Sequence, residues 1–152
     1  MTIAVDFDGT IVEHRYPDIG PEIPFAVETL RLLSDEGHKL ILWTVREGDL
    51  LDEAVDFCHK RGLHFYAVNK NYPEEKQEHK GYSRKLKADL FIDDRNLGGL
   101  PDWGNIYSLI HGGQLPAPYA WNGGTTAGNA GCGNNRFKAF MKKLFQTKTK
   151  KI

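Results

Sequence analysis

Acidic side chains stand at the ends of two short apolar segments of this sequence. Asp6 and Asp8 close the first segment, and Asp93 and Asp94 directly follow the other. If the fold brings these four carboxylates together, they repel one another unless a cation lies among them. The pattern therefore predicts cation-assisted chemistry at a cluster of aspartates.

The elements that must position these side chains alternate between strands and helices. Apolar residues at helical spacing predict helices over residues 22–36 and 49–61, each followed by a glycine that suits a helix end. Four short apolar runs predict buried strands, at residues 3–5, 39–43, 64–68 and 90–92. This alternation gives right-handed βαβ units and a parallel sheet with helices on both faces.

The carboxyl ends of parallel strands share one edge of a sheet, and ligands bind at that edge in this fold class. Thr44 and Arg46 end the second predicted strand, so we expect both residues beside the four aspartates. We also predict a short helix around residues 74–79 and a fifth strand over residues 105–110.

The order of four short motifs resembles the haloacid dehalogenase (HAD) superfamily over residues 1–110. The motifs are D-F-D-G-T after a strand, a threonine at the end of the next strand, a lysine, and an Asp-Asp pair eight residues after that lysine. The resemblance implies an α/β fold, namely a doubly wound, Rossmann-like, three-layer sandwich with a mostly parallel sheet. Larger relatives insert a cap domain in one of two intervals. Here residues 11–23 and 69–84 leave no room for a large cap domain.

The resemblance also implies roles for the first motif. Asp6 matches the nucleophile, whose carboxylate attacks phosphorus and forms an aspartyl-phosphate. Asp8 matches the general acid and base that serves the leaving oxygen and then the attacking water. Gly9 and Thr10 shape the turn after the strand and are implied contacts of the substrate.

The remaining motifs imply contacts with the phosphoryl group and a metal. Thr44 matches a hydroxyl that hydrogen-bonds the transferring phosphoryl group. Lys85 has the placement of the lysine that offsets negative charge, with Lys87 as the alternative. Arg46 lies beside the site, where contact with a substrate anion and a surface salt bridge are both open. The implied Mg²⁺ ligands are Asp6, Asp8 through its backbone carbonyl, Asp93 and Asp94.

The function that follows from the resemblance is a Mg²⁺-dependent phosphomonoester hydrolase acting on a small phosphorylated molecule. An aspartate at position 8 favours a phosphatase over a dehalogenase. His14, Arg15 and Tyr16 lie where the family keeps a mobile flap, and they are further candidate contacts of the substrate. Two alternatives stay open: a phosphotransferase on the same site, and a non-enzymatic metal-binding scaffold that acts through its basic tail.

Charge is unevenly distributed along the chain, although the formal net charge is zero. Residues 1–102 contain all twenty acidic residues and thirteen Lys and Arg, whereas residues 103–152 contain no acid and seven Lys and Arg. The predicted divisions are a HAD-like catalytic domain at residues 1–115, a Gly/Asn-rich linker at 116–135 and a basic amphipathic helix at 136–152.

The basic tail has three open interpretations: docking on the body of the protein, contact with a protein partner, or contact with an anionic membrane surface. The tail lacks an aromatic stacking platform, which disfavours specific binding of nucleic acid.

Cys58 and Cys132 fit neither a metal-ligand spacing nor a disulfide framework, and the amino terminus lacks the features of a signal peptide. We therefore expect a cytoplasmic protein.

Overall fold

A computed structural model describes residues 1–76, 78–79 and 83–113 of the chain. Two compact units are present, Met1–Leu100 and Pro101–Ile152. The predicted linker at 116–135 and the predicted tail helix at 136–152 lie outside the described residues. No helix in the described part of the chain is long and apolar enough to cross a bilayer.

The first unit is built on a four-stranded sheet in which every pair of neighbouring strands is parallel. The strands lie in the order β3-β2-β1-β4. Their bounds are β1 (Thr2–Val5), β2 (Lys39–Leu42), β3 (Ala67–Val68) and β4 (Leu90–Ile92). The central strand β1 is buried on both faces, because Ile3 and Val5 are fully covered and so is Ala4 between them. The predicted α/β fold with a parallel sheet is therefore confirmed.

Two helices of the first unit connect these strands. α1 (Ala26–Asp35) buries Val27, Leu30 and Leu33, which lie at helical spacing along one face. α2 (Gly48–His59) buries Ala54 and Cys58. Burial raises the pKa of the Cys58 thiol to about 12, which keeps it in the unreactive thiol form.

α1 begins four residues later than the sequence predicts, because residues 21–23 are engaged elsewhere. The backbone N–H of Ile23 donates to the carbonyl of Ile11 at 2.9 Å, and the N–H of Glu13 donates to the carbonyl of Pro21 at 2.8 Å. These bonds pair residues 11–13 with residues 21–23. Phe25 then takes a left-handed conformation with a φ of 67°, which is incompatible with continuing a helix through it.

Other predicted elements differ from the structure. Residues 103–110 form a helix, α3 (Trp103–Ile110), and the predicted fifth strand is wrong. The side chain of Asp102 caps this helix by accepting from the N–H of Asn105 at 3.0 Å. The predicted helix around residues 74–79 is absent from the described residues there, which form turns and bends. The third strand is shorter than predicted and starts at Ala67.

Candidate functional site

The backbone at the carboxyl edge of the sheet is fixed by pairing that continues past the strand ends. The N–H of Asp6 donates to the carbonyl of Ile92 at 2.9 Å, and the N–H of Trp43 donates to the carbonyl of Val5 at 2.8 Å. The segments after β1, β2 and β4 therefore leave the sheet side by side. This is the edge at which the sequence predicts a site.

Three carboxylates meet at this edge. Asp6, Asp93 and Asp94 each offer one oxygen, and these oxygens lie within 4.8 Å of one another. We call these residues the aspartate triad. Asp94 Oδ1 is buried and has no hydrogen-bond partner in the described part of the chain, which is costly for a carboxylate oxygen unless a cation or water satisfies it.

Burial and the neighbouring charges both affect the protonation of Asp6. Burial raises the pKa of Asp6 from 3.8 to about 7, and the nearby charges of Asp93, Asp94 and Asp8 add to the rise. A hydrogen bond from the backbone of Phe7 opposes it. Desolvation and like charge both favour the neutral form of Asp6. A cation bound among the three residues would have the opposite effect, because its positive charge favours the carboxylate.

Gly9 and Thr10 fix the position of Asp94. A Cβ atom on Gly9 would lie 2.3 Å from Asp94 Oδ2, so only glycine leaves space for that carboxylate. The backbone of Gly9 also has a φ of 90°, which side chains rarely adopt. Thr10 Oγ1 accepts from the N–H of Asp94 at 3.0 Å and lies 3.5 Å from Asp6 Oδ2. The turn after β1 thus holds the two acidic motifs against each other.

Asp8 faces a different partner from the triad. Its two oxygens accept from Arg46 Nε and Nη2, both at 2.7 Å. The pair is almost completely buried, with side-chain exposures of 6% for Asp8 and 0% for Arg46. The hydrogen bond to Asp8 raises the pKa of Arg46. This is a bidentate, charge-assisted contact of the strong kind.

Arg46 therefore contacts the protein and does not present its guanidinium to a ligand. Of the two alternatives that the sequence left open, a salt bridge is what the structure contains, and it is buried and not at the surface. The guanidinium also donates to the carbonyls of Pro17 and Asp18 at 2.8 and 2.9 Å. Because the Arg46 side chain is fully buried, a direct contact with a substrate anion would require the residues around it to move.

Residues 11–23 form a paired loop after the first motif, where the resemblance implies a flap, and we call this loop the flap. Its base is the pairing of residues 11–13 with residues 21–23. Its tip contains the exposed residues His14, Arg15 and Tyr16. The tip is held near Asp8 by the two hydrogen bonds from Arg46, so the three candidate contacts lie on a segment tied to the site.

Thr44 is fixed by Asn69, a residue that none of the sequence motifs includes. Asn69 Oδ1 accepts from the N–H of Thr44, and Asn69 Nδ2 donates to the carbonyl of Thr44, each at 2.9 Å. Asn69 directly follows β3 and has a φ of 51°, a conformation that asparagine tolerates better than most residues. An asparagine at a strand end was the available signal. The Thr44 hydroxyl accepts from the N–H of Arg46 at 3.3 Å.

The two candidate lysines lie on the segment that leads into β4. Both Lys85 and Lys87 are exposed, and neither forms a salt bridge within the described part of the chain. The N–H of Lys87 donates to Asn71 Oδ1 at 2.6 Å, and Asn71 in turn bonds Glu75. The charge of Lys87 contributes to lowering the pKa of Glu75. Both lysines stay candidates, and Lys85 keeps the preference that the motif spacing gives it.

The residues of the triad fit a divalent cation such as Mg²⁺. The donor set is made of oxygen, which Mg²⁺ prefers. One of its members, Asp94, also has a buried oxygen without a hydrogen-bond partner among the described residues. Each carboxylate oxygen of Asp8 accepts one bond from Arg46, and the contribution that the resemblance implies for Asp8 is its backbone carbonyl. The fit supports a cation without identifying it.

Comparisons with known proteins give one informative similarity. The chain is similar to the solved structure of a conserved protein coded by a locus from Bacteroides thetaiotaomicron, with 74% sequence identity and a TM-score of 0.70. The similarity covers 74% of this chain and 90% of that one. No protein-family model matches the chain. No curated protein matches it either.

Proposed function

The chain belongs to the same family as the conserved Bacteroides thetaiotaomicron protein, and we propose that it is a Mg²⁺-dependent phosphomonoester hydrolase. The observation that carries this proposal is the aspartate triad. Asp6 stands at the end of the central strand, within reach of two further carboxylates that can share a cation with it. The motif resemblance to HAD enzymes supports the same reaction class.

The proposed reaction has two steps on Asp6. Its carboxylate oxygen attacks phosphorus, the new P–O bond forms an aspartyl-phosphate, and the leaving oxygen departs with a proton. Water then attacks the phosphorus, which releases inorganic phosphate and restores the Asp6 carboxylate. A bound Mg²⁺ would offset the charge of the phosphoryl oxygens and so lower the repulsion between two anions.

Asp8 is the proposed acid and base of both steps. A carboxylate has about four lone-pair sites, and the Arg46 fork occupies one site on each oxygen. The remaining sites leave Asp8 able to exchange a proton with the leaving oxygen and with water. Thr44 and Lys85 are proposed to contact the phosphoryl group.

The strand order supports a doubly wound, HAD-like arrangement as part of this proposal. From β1 the chain runs outward through β2 to β3, and it then returns to place β4 on the other side of β1. The crevice at such a reversal is where ligands bind in open α/β sheets. Asp6 follows β1 and Asp93 follows β4, so both residues flank this point.

The proposal is tested by phosphate release from an aryl phosphate. We expect turnover with Mg²⁺, its loss in excess EDTA, and its loss in Asp6→Asn. Asp56→Asn is the matched control, because Asp56 is an exposed aspartate of α2 and its change should leave turnover intact. Phosphate found on an added alcohol would indicate a phosphotransferase. If the wild-type protein shows no turnover, the hydrolase proposal fails and the non-enzymatic metal-binding scaffold is the alternative that remains.

A further inference from the structure

Arg46 is a fully buried arginine that the proposed chemistry does not use. Its guanidinium makes four hydrogen bonds, two to the carboxylate of Asp8 and one each to the carbonyls of Pro17 and Asp18. An arginine is rarely buried unless its donors are paired. The four bonds explain how this charge is kept out of water.

The same guanidinium lies against two aromatic rings. Its carbon Cζ is 5.2 Å from the ring centroid of Phe7 and 5.3 Å from that of Tyr16. Both distances are within the range of cation–π attraction. Phe7 lies between Asp6 and Asp8 in the chain, whereas Tyr16 belongs to the flap tip. Through these contacts, the side chain of Arg46 joins the first motif, residues 6–10, to the flap.

The tip is otherwise an exposed stretch of chain. Residues 13–18 are all exposed, and the backbone pairing at the base of the flap involves residues 11–13 and 21–23. The hydrogen bonds from Arg46 reach the tip beyond this pairing, at Pro17 and Asp18. Loss of these bonds would leave the tip tethered at its base.

We propose that Arg46 is a positioning residue that holds the flap tip and the Asp8 carboxylate together, so that the two are placed as one unit. Movement of the tip away from the site would break the bonds to Pro17 and Asp18 and disturb the fork on Asp8. The structural part of this inference is independent of the reaction. Its kinetic consequence rests on the proposed function.

Lysine cannot replace arginine in this position. The planar guanidinium presents several donors in fixed directions, whereas an ammonium is a single charge with three donors on one atom. Arg46→Lys therefore keeps a positive charge near Asp8 but cannot reach both carboxylate oxygens and both carbonyls. Arg46→Met removes the charge as well. The two variants separate charge from geometry.

Trypsin reports local unfolding of the flap tip, because the bond after Arg15 lies in the tip and must leave its folded conformation to enter the protease. We expect cleavage after Arg15 to be about tenfold faster or more in Arg46→Met, and faster to a smaller degree in Arg46→Lys, because local opening exposes the bond. Cleavage after Arg31, inside α1, reports global unfolding in the same digest. The ratio of the two rates isolates the tip.

Arg61→Met is the matched control for this experiment. Arg61 also lies over an aromatic ring, at 3.4 Å from the centroid of Phe57, and forms a salt bridge with Glu22 at 2.9 Å. Its partner Glu22 belongs to the base of the flap, and Arg61 contacts neither Asp8 nor the tip carbonyls, so this variant compares a contact at the base with the contacts at the tip. We expect its loss to leave the ratio of tip cleavage to global cleavage unchanged.

A kinetic double-mutant cycle tests whether Arg46 acts through Asp8. We compare kcat for an aryl phosphate in Asp8→Asn, Arg46→Met and the double variant. Misplacing a catalytic group by a small distance can cost about 100-fold. If Arg46 works by positioning Asp8, the double variant is no slower than Asp8→Asn alone, because the positioned group is already disabled.

Each outcome decides the inference. An unchanged tip-to-global cleavage ratio in Arg46→Met and Arg46→Lys overturns it, whether or not the protein has phosphatase activity. Kinetic effects that multiply in the double variant also overturn it, because they indicate a structural role separate from Asp8. If Arg46→Met does not fold, Arg46→Lys is used in both experiments. Absence of wild-type turnover sinks the proposed function, and the digest still decides the position of the tip.

Discussion

Gly9 and Asp94 lie closer together than a side chain at position 9 would allow. A Cβ atom would lie 2.3 Å from Asp94 Oδ2, and the backbone φ of 90° adds conformational strain to any substitution. Gly37 has nearly the same φ, 87°, but a Cβ there would meet nothing within 4 Å. The two glycines therefore share a backbone conformation that would strain any other residue, and they differ in contact with the triad.

This difference predicts how two alanine variants behave. Gly9→Ala should displace the Asp94 carboxylate and weaken Mg²⁺ binding by about 10- to 100-fold, as changes next to metal ligands commonly do. Gly37→Ala should cost about 1–2 kcal/mol of unfolding free energy from backbone strain alone. Isothermal titration with Mg²⁺ measures the first effect. Equal Mg²⁺ affinity in the two variants would contradict the proposed role of the triad.

The raised pKa of Asp6 predicts how the stability of metal-free protein depends on pH. The folded protein keeps a proton on Asp6 up to a pKa of about 7, whereas the unfolded chain releases it near 3.8. The contribution of Asp6 to the free energy of unfolding is therefore fully present below pH 3.8 and is lost as pH rises through about 7. Urea unfolding in EDTA across this window should show a decline that Asp6→Asn lacks. A parallel decline in both proteins would assign it to other groups.

At the scale of elements, side chains at strand ends join neighbouring strands beyond their backbone pairing. β3 has only two residues, and Asn69 continues its pairing with the β2 side through two hydrogen bonds to the backbone of Thr44. The side-chain amide of Asn69 thereby takes the place of the backbone hydrogen bonds that one more strand residue would make. These two bonds fix the backbone of Thr44, whose hydroxyl is predicted to contact the phosphoryl group.

Replacement of Asn69 should loosen this edge of the sheet. Asn69→Gly tolerates the φ of 51° and loses both amide bonds, which predicts a loss of about 2 kcal/mol at about 1 kcal/mol for each bond. Asn69→Ala loses the same bonds and also strains the backbone, so it should be the less stable of the two. Chemical denaturation measures both variants. A glycine variant as stable as the wild type would show that the amide contributes nothing.

The elements that the sequence predicted well are those whose evidence is local. β1, β2 and β4 were predicted because short apolar runs end in polar residues, and α1 and α2 because their apolar residues recur at helical spacing. The start of α1 was not predictable, because it depends on pairing between residues 11–13 and 21–23. α3 was predicted as a strand, although the Asp102 cap was visible in the sequence.

At the scale of the whole molecule, every proposed site residue lies in the unit Met1–Leu100. Residues 103–152 contain seven Lys and Arg and no acid. Acidic chemistry and basic charge are therefore separated along the chain. This separation predicts that the carboxyl-terminal residues do not take part in the reaction.

Deletion of residues 122–152 tests that prediction. We expect the truncated protein to release phosphate with a kcat within about twofold of the full chain, because no interaction made in the transition state is removed. Melting curves of both proteins establish that the truncated form is folded. A folded truncation without activity would mean that the tail forms part of the site.

The candidate site was predictable in its acids and not in its contacts. Asp6, Asp93 and Asp94 were predicted from strand ends and motif order, and the structure brings them together. The pairing of Asp8 with Arg46 joins residues 38 positions apart, and the flap carbonyls that complete it carry no signal in their side chains. Long-range contacts of this kind follow from the fold, which a single sequence specifies only indirectly.

The central claim is that Asp6 is the nucleophile of a phosphoryl transfer. The most direct test is mass spectrometry of the peptide that contains Asp6, after incubation with Mg²⁺ and acetyl phosphate and a rapid acid quench. We predict a phosphate on Asp6 that is absent without Mg²⁺ and in Asp6→Asn, and a Mg²⁺-dependent beryllofluoride adduct at the same residue. A protein that hydrolyses the substrate without phosphate or adduct at Asp6, or that carries either on another residue, would contradict the account.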